Sequence, residues 1–246
     1  MIDINIYPRY PQFEDLLELY PPQPANKFLP EWYKKNKISN KLNLFGPDKE
    51  HPHAKNCPAI QEEMLNGIVL PAWSDIWIDM KDNEVNWKTT VGENFFIPNW
   101  KWIGSHNLQQ IKSMNLNTIV NFGILKLFSP YYFSTPKGYG LSFRDVFYHH
   151  RKDIRLLPGM VETDIWHEVN FPFEFTQDIT NQETKFIIEA GSPLMLLTPY
   201  KINEKYNLKL NKFNDKFYGK QKKNTSLMFS ISNKWFNYKK LKRDML

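Results

Sequence analysis

Three observations make the sequence read as a mainly β protein. Strand-like patterns recur at intervals of roughly ten to fifteen residues through the middle of the chain. Seventeen prolines and ten glycines in 246 residues break it too often for long helices. Within the body, Pro58 to Asn66 carries the one convincing helical pattern, with Ile60, Met64 and Leu65 on one side. These signals favour a sandwich or barrel over 51–203, with an N-terminal arm over 1–50 and a basic extension over 204–246.

The elements follow in order. Prolines at 8, 11, 21, 22, 24, 30 and 47 crowd the arm too densely for regular structure beyond a turn or two around Phe13 to Leu19. A second short helix opens at Leu29 to Lys35, with Pro30 near its first position. The arm also carries Phe13, Leu16, Leu17, Leu19, Tyr20, Phe28, Trp32 and Tyr33, so it should wrap against the body or a neighbouring subunit. Gly67 to Pro71 reads as a strand. In Ser74 to Met80, Asp75, Trp77 and Asp79 alternate with Ile76, Ile78 and Met80, and Lys81-Asp82-Asn83 turns into Val85 to Thr89. Asn117 to Phe128 is β-branched and breaks at Pro130, and Gly138 to Phe143 is a turn entering a strand. Val169, Phe171, Phe173 and Phe175 mark one face of another strand, which Pro172 assigns to an edge or a bulge. Phe186 to Ile188 and Leu194 to Leu197 close the series. In the extension, Leu227, Phe229 and Ile231 alternate as a strand would, and Trp235 to Leu246 reads as a short basic helix. No internal repeat is visible.

The net charge of +6 is unevenly spread. From Lys201 to Leu246, thirteen Lys or Arg face Glu204, Asp215 and Asp244, so 13 − 3 gives +10. The rest holds 19 basic and 23 acidic side chains, a net of −4. A mildly acidic body thus carries a tail able to meet nucleic acid or an acidic partner. One cysteine, Cys57, excludes a disulfide framework and a Cys-based zinc cluster, and a reducing compartment is expected. No charged segment precedes an apolar signal core and no long apolar run occurs, so neither export nor membrane spanning is expected.

Two stretches carry a resemblance. Pro158-Gly159-Met160-Val161-Glu162-Thr163-Asp164 reads as a tight turn feeding a strand with two acids on one face, and Phe186 to Leu194 as strand, Gly turn, strand. Together they resemble the core of the dUTPase-like β-clip fold. The resemblance implies that Glu162 stands where that family binds the sugar and activates water, with Asp164 close by. Glu in place of Asp lengthens the side chain by a methylene, a large shift for catalytic geometry. The family's Gly-Asp-Arg-Ile-Ala-Gln turn is Gly191-Ser192-Pro193-Leu194-Met195-Leu196 here, and the Pro-Arg-Ser-Gly phosphate motif and glycine-rich closing arm are absent. Shared topology without phosphate chemistry is what this implies. The order of Phe28-Leu29-Pro30-Glu31-Trp32-Tyr33-Lys34, Cys57-Pro58, Gly67 to Asp75, Ser129-Pro130-Tyr131, Thr135 to Gly140, Pro158 to Asn170 and Ala190 to Lys201 also resembles uncharacterised proteins of tailed phages, including marine phages of cyanobacteria. It implies a viral source, placing the protein in the host cytoplasm or the virion.

The candidate chemistry centres on the acidic turn. On a strand, Glu162, Asp164 and Trp166 would share one face with His167 on the other, and a ligand held there would touch Tyr139 and Trp166. His149, His150, Glu162, Asp164 and His167 lie close in sequence, so His149, Asp164 and His167 form a candidate divalent-metal set. The competing reading is a turn whose Asp accepts backbone N–H groups. No nucleophile elbow, P-loop or dinucleotide fingerprint occurs, and Cys57 has no catalytic context. Trp73, Trp77, Trp87, Trp100 and Trp102 serve packing first, and stacking on sugars or bases second. In the extension, Lys222, Lys223, Trp235, Phe236, Lys239 and Lys240 are the candidate contacts to nucleic acid or a partner. Two classes stay open. One is a non-catalytic structural or binding protein, oligomeric and virion-associated. The other is an enzyme acting through Glu162, Asp164 and His167 on a nucleotide or small metabolite.

Overall fold

Alternating apolar residues close into three antiparallel sheets. The structure, a computed structural model, describes residues 2–35, 57–81, 84–91, 97, 100–106, 108–111, 124–149, 151, 153–176 and 184–230. Two compact units arise, Met1–Phe28 with Gly67–Glu204, and Leu29–Asn66 with Lys205–Leu246.

In the first unit, with strands numbered along the chain, one sheet runs β1 (Asn5–Pro8), β7 (Ile124–Ser134), β11 (Glu168–Phe175), β9 (Ile154–Leu156), and β6 (Ile103–His106) also pairs with β7. The second runs β10 (Gly159–Val161), β8 (Tyr139–Asp145), β13 (Pro193–Lys201), β3 (Ile68–Pro71), β2 (Gln23–Pro24). The third is β12 (Thr184–Ile188), β4 (Ile76–Lys81), β5 (Glu84–Thr89). Rings join the layers. Phe133 of β7 meets Phe143 of β8 at 5.5 Å between centroids, Phe143 meets Phe171 of β11 at 5.8 Å, and Phe175 meets Phe186 of β12 at 5.6 Å. The fold is mainly β, as the sequence predicts.

The arm up to Phe28 belongs to this unit, and Leu29 onward to the other. Asn5 to Pro8 pair with Ser134 to Tyr131, and Phe13 and Leu16 lie in the main core, Leu16 on α1 (Glu14–Leu19). Proline density misleads because an edge strand tolerates Pro8 at its end, while Pro11 starts the 3-10 turn Pro11–Phe13. Residues 36–50 lie outside the described residues.

Two other prolines also sit where no donor is required. β7 runs through Pro130 rather than breaking there. β6 pairs with it as far as Leu127 and β1 from Tyr131 onward. Between them the Pro130 carbonyl accepts the Arg9 N–H at 2.8 Å, and the Ser129 hydroxyl accepts the Tyr131 N–H at 3.1 Å. Pro172 is interior rather than on an edge. Its carbonyl accepts the Leu157 N–H at 2.8 Å just past the end of β9, so the missing donor falls beyond the last paired residues of that strand. The irregularity in β11 falls between Glu168 and Asn170 instead. The expected turn at Asp82-Asn83 lies outside the described residues.

The second unit holds α2 (Glu31–Lys35), α3 (Pro58–Leu65) and α5 (Asp215–Ser230); a short α4 (Leu108–Ile111) belongs to the first. Exposed Cys57 precedes Pro58 at the start of α3, and its carbonyl accepts the Gln61 N–H at 3.0 Å. The strand expected around Leu227 and Phe229 is helix. Asn214 Oδ1 caps α5 by accepting the Phe217 N–H at 2.9 Å, and the helix runs on to Ser230. Among the described residues no helix is long and apolar enough to cross a membrane.

Candidate functional site

The acidic turn begins where β10 ends. That strand stops at Val161, so Glu162, Asp164 and Trp166 do not share a strand face. Instead the Glu162 carbonyl accepts the N–H groups of Ile165 and Trp166 at 3.1 and 2.9 Å, winding 163–165 into a turn. The Thr163 side chain points inward, is fully buried, and its hydroxyl lies 2.8 Å from that of Thr135. Thr135 in turn donates to the Tyr139 carbonyl at 2.6 Å.

The polar atoms of the turn are committed to backbone. Asp164 Oδ2 accepts the Gly138 N–H at 2.8 Å, across the facing turn before β8. Gly138 is needed there, since its φ of +83° lies in the left-handed region. His167 Nδ1 stands 3.0 Å from the Phe133 carbonyl and 3.0 Å from the Thr163 carbonyl, so its N–H bridges β7 to the turn. Trp166 Nε1 donates to the Glu168 carbonyl at 2.7 Å and leaves its ring exposed. Asp164 Oδ1 is buried without a hydrogen-bond partner in the structure. Burial first, and then the charges of Glu162 and Asp164, push the Tyr200 hydroxyl above its usual value. Gly140 permits this contact, because a Cβ there would stand 2.5 Å from the Val161 carbonyl and 2.6 Å from the Tyr200 ring.

Some sequence-predicted residues therefore converge and others do not. Glu162, Asp164 and the Gly138–Tyr139 turn come together, with Trp166 and His167 following. His149 ends the 3-10 turn Phe147–His149, and among the described residues no group of three or more His, Cys, Asp or Glu could hold a metal ion. His149, Asp164 and His167 do not come together as such a group; one imidazole nitrogen and one carboxylate oxygen already bind backbone. His150 lies outside the described residues. Trp73 and Trp102 are core, Trp77 and Trp100 half-buried, and Trp87 exposed. Lys222 and Lys223 are exposed on α5, while Trp235, Phe236, Lys239 and Lys240 lie outside the described residues.

Sequence reasoning misses Arg9. Its guanidinium lies 5.2 Å over the Trp100 ring and 5.0 Å over the Tyr132 ring, and pairs with Glu168 at 2.6 Å. An arginine just after Pro8 carries no local sign of this.

No protein-family model and no curated protein matches the chain. Its structural neighbours are phage dUTPases. One is the dUTPase from phage phi11 of S. aureus, at 11% identity and a TM-score of 0.25, covering 38% of this chain and 73% of that one. A second phi11 structure, described for the coordination of a structural Mg(II) ion, has 9% identity and a TM-score of 0.31, covering 67% and 90%. The Staphylococcus bacteriophage 80alpha dUTPase with dUpNHpp has 9% identity and a TM-score of 0.33, covering 73% and 88%. At these values no residue role passes from those enzymes to this chain.

Proposed function

We propose that the chain is a phage-encoded, non-catalytic structural or binding protein that acts as a homo-oligomer or with other phage proteins. The observation that carries this reading is the use made of the acidic turn. Its best-placed carboxylate oxygen accepts a backbone N–H, and its imidazole bridges two carbonyls, so the turn staples β7, β8 and β10 together. The viral source rests on the order of motifs in the sequence. Met160, Ile165 and Trp166 are exposed around the edge strand β10 and supply apolar surface for association.

A second reading has one observation in its favour. Asp164 Oδ1 is buried without a partner, and the charges of Asp164 and Glu162 both act on the Tyr200 hydroxyl. An enzyme acting on a nucleotide or small metabolite, with a divalent metal, would use it. Asp164→Asn separates the two. In a staple, the neutral amide still accepts from Gly138, folding persists, and stability falls by about 1 kcal/mol with the loss of charge assistance. Metal content and nucleotide turnover of the purified protein should be unchanged by the substitution. Turnover or bound metal that disappears in a folded Asp164→Asn variant would overturn the non-catalytic reading.

A further inference from the structure

Between β5 and the β6–β7 pair lies an open groove of about 700 Å³, within the size range of ligand sites. One wall is Glu84 to Trp87, the other runs along Ile103, Gly104 and Ser105, and among the described residues β5 pairs with β4 alone and β6 with β7 alone. Two rings line it. Trp87 is 38% exposed. The Phe128 ring lies against the β6 backbone because Gly104 has no side chain, and a Cβ there would stand 2.5 Å from the ring. Two ammonium groups accompany them: Lys126 Nζ is 5.0 Å above the Phe128 ring, and Lys101 is exposed on the wall.

A second depression of about 560 Å³ lies over Trp77 on the opposite face of the β4–β5 pair, since Trp77 stands opposite Lys88 and Trp87 opposite Ile78. There Lys88 Nζ stands 5.0 Å above the Trp77 ring, and Lys185 pairs with Asp79 at 3.6 Å. In the groove itself Lys101 and Lys126 face Glu84, so 2 − 1 gives +1 on a body that is otherwise acidic.

We infer that this groove binds single-stranded nucleic acid. Lysines set beside rings match a phosphate backbone whose unpaired bases are free to stack, and stacking on rings tolerates any base. A duplex hides its base faces, so the rings would find nothing to meet. A neutral sugar leaves the lysines without a role, and an acidic polysaccharide supplies the charge without a flat ring.

Fluorescence anisotropy of a fluorescein-labelled oligodeoxythymidylate with the full-length chain, across a salt series, tests this. Trp87→Ala should weaken binding about tenfold, the loss of one stacked base. Lys101→Ala with Lys126→Ala should reduce the slope of log affinity against log salt by about 1.4, two phosphate contacts on a single strand. Lys222→Ala with Lys223→Ala measures the generic contribution of the basic extension. Labelled heparin should bind equally to Trp87→Ala and to the parent chain. No binding, binding lowered by the extension variant alone, or equal loss of heparin and oligonucleotide in Trp87→Ala would each overturn the inference. Circular dichroism checks the folds. If Trp87→Ala unfolds, Trp87→Phe should retain affinity, and an unchanged salt slope in the lysine pair decides against the site.

Discussion

The Arg9 side chain is 5% exposed, while the Glu168 side chain that pairs with it is 43% exposed. The guanidinium hydrogen bond, followed by its charge, holds the Glu168 carboxyl below its ordinary value of 4.5. A carboxyl depressed in the folded state stabilises it above the unfolded-state value, and that contribution fades as pH falls through the folded value. Below pH of about 4.5 the chain should therefore lose stability that Glu168→Gln never had. Urea melts of both proteins at neutral and acid pH should converge at the acid end, and a gap that persists there would contradict the pairing. At neutral pH the loss in Glu168→Gln should be smaller than the 3–5 kcal/mol or so of a fully buried pair, since water reaches this carboxylate. Residues of this kind are the least readable in sequence. The acids at 162 and 164 stand out, yet what occupies Asp164 is an N–H 26 positions earlier, and no local spacing encodes that.

Strands with strict alternation were readable because each buries one face. In β11 the residues Val169, Phe171, Phe173 and Phe175 are all buried and their neighbours are not. β4 follows the same logic over Ile76 to Asp79, where Ile76 and Ile78 are buried and Trp77 and Asp79 are not. β1 was hidden, because a four-residue edge strand owes its stability to a partner far along the chain rather than to propensity, whereas α1 falls where a turn or two was expected. The extension failed in the opposite sense, since alternation over Leu227 and Phe229 lost to a capped helix. Phe13 measures how firmly the N-terminal elements belong to the body. It is fully buried and packs its ring against Trp100 at 5.3 Å and Trp102 at 5.2 Å. Phe13→Ala should cost about 3–5 kcal/mol in denaturant melts, the range for a core aromatic. A loss below about 1 kcal/mol would show instead that the segment is an appendage.

At the scale of the molecule, apolar surface left on the outside points to association. Met160 is 63% exposed, Ile165 76% and Trp166 63%, all within seven positions of the edge strand β10 and its turn. Burial of such surface stabilises an assembly by about 25 cal/mol per Å². Met160→Lys with Ile165→Lys should lower the mass measured by light scattering without lowering the melting temperature of the fold. An unchanged mass would move the interface elsewhere. The pairing of β1 with β7 has a further consequence, for synthesis. Asn5 meets Ser134, so 134 − 5 leaves 129 positions to be made before the pair can close, and Ile68 waits another 129 for Leu197. At about 5–20 residues per second, the N-terminal strand spends roughly 6–26 s outside the ribosome with no partner strand. A nascent-chain chaperone that covers this segment until its partner strand is made would raise the yield of folded protein.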